Sequence, residues 1–478
     1  MQSSPSPADP QVRPATFVSA IKRYFLDFAV LAETRREYWG IQIINIIDCT
    51  IYFALLNIAS VFLSEDIGLD DTTAGKSITL FTTATTIFLF FSGTVTDWLG
   101  IRTSTYVAMG AQGFLRLGLV IVGLVPSIPH RGWVATILLF LMAPFMAMIQ
   151  TVFQSANKRF TTERSRSAGF SLWYLFMNIG AAAGGFLLDI IRKLLELPNA
   201  HIFTAGVGMA LACCVVTFFM VRREDQLVLD AGGAGGSESK AEAPPPRKAP
   251  WQIAWEVMRE PALWRLLVLI ALMLGVRAIF SYLYLLCPKY WLRTIGPDAA
   301  IGTLQAINPI LIVVGIILFI PLVNRFHLFS MLVYGSMVSG ASLLVLALPW
   351  QWFDPEIGRA HYLMSIMAMV VLSVGEVIWS PKLYEYTAAI APKGQEGTYL
   401  GLSMVPWFLA KTVVSYFSGH LLVRWCPEGI RERMVAGEVG YWESPAAMWL
   451  ILATYALVGC SLALLLRGWF TRGLKPKS

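Results

Sequence analysis

The sequence predicts an all-α integral membrane protein. It reads as 12 transmembrane helices in two six-helix bundles, with the N- and C-termini both cytoplasmic. Three observations carry this. Of the 478 residues 56% are hydrophobic and only 14% charged, against ~25% charged in soluble chains. The apolar residues gather into runs near the ~20 residues that a bilayer crossing takes. A polar stretch divides those runs six and six. Mean hydropathy is +0.61. Such a composition excludes an ordinary soluble enzyme, a disordered chain and a collagen-like or disulfide-stapled secreted module.

Residues 1–38 read as a cytoplasmic N-terminal tail with no signal-peptide pattern. Within it Phe17, Ile21, Phe25, Phe28 and Leu31 recur at helical spacing opposite Lys22, Arg23 and Asp27. This is an amphipathic helix lying on the cytoplasmic membrane surface or packed on the protein itself. The N-terminal bundle, 39–221, holds apolar runs at 39–63, 75–98, 103–125, 132–153, 168–188 and 202–221. Residues 222–262 form a linker: 222–250 are rich in Gly, Ser, Pro and charge, and 251–259 read as a second short amphipathic helix. The C-terminal bundle, 263–467, holds runs at 263–288, 301–323, 328–349, 361–381, 397–423 and 446–467, and 468–478 form a cytoplasmic tail. Lipid leaves exposed backbone groups without partners, so each run is read as a helix.

Charge sets the orientation. With both ends inside and edge residues given to the adjoining loops, 24 of the 37 Lys and Arg fall on the cytoplasmic side, 10 on the outer side and 3 inside spans. The reverse topology violates the positive-inside bias. The first outer loop is acidic, with Glu65, Asp66, Asp70 and Asp71. The net charge of +7 is explained by this bias, and no nucleic-acid module is present. The six cysteines form no framework and no CxxC, and Cys49, Cys213, Cys214 and Cys460 lie inside apolar runs. Neither disulfides, a metal site nor a cofactor is predicted.

After the second run, Gly93, Asp97 and Gly100 fall in the pattern G-x-x-x-D-x-x-G, followed by Arg102. This resembles the loop signature of the major facilitator superfamily, at the position that family has it. The usual basic residue after the aspartate is Trp98 here. The resemblance implies a major facilitator fold. It also implies a conformational switch, in which Asp97 meets the positive end of a helix in the other half. Pro321 to His327 is a degraded copy of the loop.

A second resemblance is local. Phe170 to Ala181, with Asn178 and Gly180, resembles the helix-5 signature of the proton-coupled oligopeptide transporters (the POT family). Gly375, Glu376, Ser380 and Pro381 are similar to its helix 10, whose glutamate helps receive the peptide amino end. Where that family has E-x-x-E-R in helix 1, this chain has Asn45, Asp48 and Cys49; one acid is kept and the arginine is absent.

Five ionisable residues lie well inside runs: Asp48, Arg116, Arg277, Glu376 and Lys411. Each costs roughly 2.5–3.5 kcal/mol at a helix centre, so each needs a partner or a cavity. By resemblance, spans 1, 7, 10 and 11 line a central cavity. Asp48, Arg277, Glu376 and Lys411 are therefore the candidates for solute binding and proton coupling. Glu376–Lys411 and Asp48–Lys411 pairs are both open. Arg116, beside Gly113 and Gly118, reads as a structural intramembrane charge. Asn178, Gly180 and Gly184 read as a helix-packing face. Tyr282, Tyr284, Trp379 and Trp407 are cavity-lining or interfacial. His327 and His361 sit at membrane edges and receive no proton role.

The functional expectation is a secondary active transporter of the plasma membrane, acting as a monomer. It moves a small anionic or zwitterionic solute, peptide-like among the options, by proton-coupled symport and alternating access. The alternatives are a facilitative uniporter or exporter without proton coupling, and a non-transporting receptor or scaffold. No P-loop, H-E-x-x-H or G-x-S-x-G occurs, so neither ATP-driven pumping nor an enzyme is read.

Overall fold

The computed structural model describes residues 30–162, 165–222, 259–323, 327–390 and 396–471. The amphipathic segments expected at 15–38 and 251–259 lie largely outside them. Among the described residues there is no strand. The N-terminal half comprises α1 (Arg36–Val61), α2 (Asp71–Leu99), α3 (Ile101–Leu124), α4 (Arg131–Phe160), α5 (Arg166–Asp189) and α6 (His201–Met220). The C-terminal half comprises α7 in two pieces (Pro261–Leu272 and Leu274–Leu285), α8 (Ile301–Val323), α9 (Leu328–Leu346), α10 (Ile357–Ile390), α11 (Glu396–Trp425) and α12 (Pro445–Leu465).

Local sequence sets the ends. Asp70 caps α2 by accepting from the backbone N–H groups of Thr72 and Thr73, both at 3.0 Å. Pro261 and Pro445 open α7 and α12, where a missing N–H costs nothing. Gly100 separates α2 from α3 at φ 78°, a conformation that favours glycine.

Eight of these helices are long and apolar enough to cross a membrane, nine if α7 counts as one span. The other three expected spans are also helical. The α2 helix is rich in Thr and Ser, Ile301–Ile316 is the apolar part of α8, and side chains 401–408 of α11 lie outside the described residues. The two pieces of α7 meet at a 51° bend. The break falls at Met273, whose ψ of 1° leaves the helical region. Beside it Gly275 lies so close to α12 that a Cβ there would sit 2.7 Å from the Ala456 Cα. A short helix, Cys287–Thr294, continues from α7.

Close approach builds the N-terminal half. A Cβ on Gly180 would lie 2.7 Å from the Ile46 carbonyl oxygen, and one on Gly184 would collide with the Thr50 carbonyl. The α5 backbone therefore rests directly on α1. The halves meet where α2 runs along α11, α5 along α8 and α1 along α7. Apolar packing continues across that boundary, with Ala278, Leu285 and Val414 joining Leu55, Phe62 and Phe81. On the outside, Phe114, Leu211, Phe218, Phe219 and Leu465 are exposed, an apolar surface matched to lipid rather than water.

Candidate functional site

Glu376 on α10 lies between the halves. Its carboxylate accepts from Asn308 Nδ2 on α8 at 3.0 Å and from the Tyr174 hydroxyl on α5. Asn308 also donates to Ser373 Oγ at 3.1 Å, which fixes its amide. Tyr174 packs against Ile312, Ile316 and Val377, so an apolar wall surrounds the acid. Arg277 on α7 is electrostatically coupled to Glu376 and stacks 4.8 Å from the Trp379 ring centroid. Lys411 on α11 donates to the Tyr52 hydroxyl on α1 at 3.2 Å and sits 5.8 Å from that ring's centroid. Tyr52, Phe53 and Tyr284 continue as an aromatic wall, with Phe53–Tyr284 centroids 5.5 Å apart.

The structure thus gathers Arg277, Glu376 and Lys411 around aromatic groups from both halves. Neither the Glu376–Lys411 nor the Asp48–Lys411 pair is formed among the described residues. Asp48 departs from the expected cluster. It is 1% exposed, neither of its oxygens has a hydrogen-bond partner, and its electrostatic neighbours Arg116 and Cys213 belong to the N-terminal half. Arg116 is fully buried, donating to Gln112 Oε1 at 2.7 Å and the Gly206 carbonyl at 3.4 Å, while its Nε has no partner. Asp48 and Arg116 are a buried acid and base inside one bundle, electrostatically coupled without direct contact between the charged atoms. Removing one of two coupled buried charges costs up to about 3–5 kcal/mol. Arg116→Met should therefore lower the unfolding free energy in detergent by about that amount, and Asp48→Asn in the same chain should restore at least half of it. Equal losses in the single and double variants would remove the coupling.

The sequence missed a second constellation, at the end of the molecule that carries the 62–71 loop. Asp71, at the start of α2, accepts from Lys289 Nζ at 2.5 Å and Arg293 Nη1 at 2.7 Å, both on the short helix Cys287–Thr294. Lys289 also donates to Ser64 Oγ at 2.5 Å. All three charged side chains are largely buried. Burial works against the Asp71 charge, but the hydrogen bonds from Arg293 and Lys289 outweigh it and hold the carboxyl below its ordinary range. A depressed carboxyl contributes its stabilisation above the unfolded value of about 3.9 and loses it only as pH falls further. The Asp71 carboxylate therefore stays charged between pH 5 and 8. Nearby, Asp189 at the end of α5 caps α8, accepting from Gly302 N at 2.8 Å and Thr303 N at 2.6 Å. Thr82–Ser415 and Thr83–Thr412 contacts join α2 to α11. The available signal was complementary charge: an acidic loop after span 1 and two bases after span 7.

The switch-motif residues are only partly described. Arg102 lies 5.9 Å from the Tyr106 ring centroid and 6.0 Å from that of Phe218, both in its own half. Gly93 has open space at its Cβ position. The Asp97 and Trp407 side chains lie outside the described residues. Asn178 donates to the Tyr174 carbonyl at 2.9 Å, one turn below the tyrosine that meets Glu376.

Solved structures support the fold. A crystal structure of a peptide transporter POT in complex with sulfate is 15% identical, with a TM-score of 0.66 over 92% of this chain and 96% of that one. An auto-inhibited POT family peptide transporter is 16% identical, with a TM-score of 0.65 over 93% and 98%. A structure described as giving insights into substrate recognition in proton dependent oligopeptide transporters is 14% identical, with a TM-score of 0.66 over 91% and 99%. No curated protein matches the chain by sequence. The Major Facilitator Superfamily model matches residues 39–415, from α1 into α11 and across both halves. The chain therefore belongs to the major facilitator superfamily of membrane transporters.

Proposed function

We propose that the protein is a secondary active transporter that carries a small anionic or zwitterionic solute with protons, by alternating access about the Glu376 site. The observation that carries this is the site's composition: one acid held by Asn308 and Tyr174, with two bases, Arg277 and Lys411, resting on Trp379 and Tyr52. A solute's acidic group is drawn to the bases, and an amino group, where there is one, to Glu376. Because Tyr174 and Tyr52 come from one half and Glu376 and Lys411 from the other, rocking the halves remakes the Tyr174–Glu376 and Tyr52–Lys411 contacts together. The protein crosses the membrane twelve times, with both ends cytoplasmic. The exposed Trp133, Trp352 and Trp442 then mark the outer interface, and Trp98 and Trp264 the inner one. The Asp71 clasp closes the outer side.

Asp48 favours a second reading. It lies inside the N-terminal half, so coupling rests on Glu376 alone, and facilitated movement without protons is the alternative. The test is uptake by reconstituted liposomes of a panel of carboxylates, amino acids, short peptides and amines. Carboxylates or zwitterions should enter and compete with one another, while amines should not. Entry of amines alone would reject the proposed solute class.

A further inference from the structure

His361, in the first turns of α10, is 3% exposed. Its Nδ1 shares a 2.8 Å hydrogen bond with the Tyr290 hydroxyl, and its Nε2 has no partner. The groups that face it come from several elements. Tyr290 lies on the short helix Cys287–Thr294, next to Lys289 and three residues before Arg293. Arg431, on the helix Ile430–Val435, places its charge near the ring. Trp449, on α12, meets Tyr290 edge-on with centroids 5.2 Å apart. Glu356 is engaged by Arg359 at 3.2 Å and Arg431 at 3.9 Å, and among the described residues no carboxylate bonds the imidazole. The same short helix therefore grips Asp71 through Lys289 and Arg293, and His361 through Tyr290. Trp291 ties it to α10 again, donating to Ser365 Oγ at 2.8 Å.

We infer that His361 is a second proton-binding site, separate from Glu376, through which acid on the outer side releases the gate helix Cys287–Thr294. As the neutral ring, His361 shares one proton with Tyr290 and seals that helix against α10. A proton added at the free Nε2 makes a buried cation with no acid partner, close to Arg431. Burying an unpaired charge is strongly unfavourable. The cost is relieved by hydrating the ring, which requires Tyr290 and its helix to move away. The Asp71 clasp moves with them. Histidine is the side chain whose ordinary titration falls in this range, and the Asp71 carboxylate stays charged there. The inference rests on the alternating-access reading.

The test uses the full chain with spin labels at Leu195→Cys and Trp442→Cys, exposed positions on the outer loops of the two halves. The distance between them is measured from pH 8 to pH 5 without solute. A one-proton switch raises the ratio of long to short distances by up to about tenfold per pH unit. His361→Gln should stay short across the range, and Glu376→Gln should keep the response. Tyr290→Phe, which retains the ring and drops the hydroxyl, should shift its midpoint. A response unchanged in both His361→Gln and Tyr290→Phe overturns the inference, as does a pH-insensitive wild type whose distance still responds to solute. A wild type whose distance responds to neither pH nor solute overturns the alternating-access reading instead.

Discussion

Glu376→Gln should reduce solute accumulation to equilibrium while leaving downhill exchange intact. Glutamine keeps the size of the side chain and an oxygen that accepts from Asn308 Nδ2 and the Tyr174 hydroxyl, so the site's shape survives. What it loses is the transferable proton. A driving force of 100 mV on one charge is worth about 2.3 kcal/mol, which supports about 50-fold accumulation at one proton per solute. The variant's ratio should fall to about one under the same gradient, measured as internal against external solute at steady state. Persistent accumulation would show that another group carries the proton.

Asp71→Asn should open the side that the clasp closes, the outer side in the proposed orientation. Lys289 and Arg293 are 5% and 11% exposed at the side chain and converge on the one carboxylate. Asparagine leaves Lys289 without its carboxylate, and Arg293 with only the exposed carboxylate of Glu428, at 3.4 Å, in a site with little water. Removing one partner of a buried pair costs about 3–5 kcal/mol, roughly two to four orders of magnitude in the balance of conformations. The label pair on the outer loops should then report mainly long distances at pH 7.5. Asp71→Leu combined with Lys289→Met and Arg293→Met replaces the clasp by apolar contact and should return the short distance. An unchanged distance in Asp71→Asn would mean that the Asp189 cap on α8 and the α2–α11 contacts hold the outer side closed without the clasp.

The helices were legible where composition alone decides them. The run at 202–221 became α6, His201–Met220, and the run at 446–467 became α12, Pro445–Leu465. The break in α7 was not legible, because no proline marks it and the close contact of Gly275 with Ala456 is tertiary. The helix Cys287–Thr294 was hidden for another reason. Its Lys289 and Arg293 read as outer-loop charge, and only folding brings Asp71 to them, from more than 200 residues away.

The site divides the same way. Arg277, Glu376 and Lys411 stood out because a charge in an apolar run demands a reason. Tyr52, Tyr174 and Asn308 did not, since uncharged polar residues are common in spans and their helix face decides their use. Asp48 was visible as a charge, but its destination was not. The seating of α1 on Gly180 and Gly184 fixes the rotation of that helix, and the matching base, Arg116, lies two spans away in sequence.

The most direct test of proton-driven alternating access is made with the solute that the uptake panel selects. Wild-type protein is reconstituted, an inward proton gradient is imposed, and internal solute is followed. Accumulation above the external concentration, abolished by a protonophore, is the predicted result. Uptake that reaches only equilibrium and is indifferent to the gradient would contradict the account and leave a facilitator.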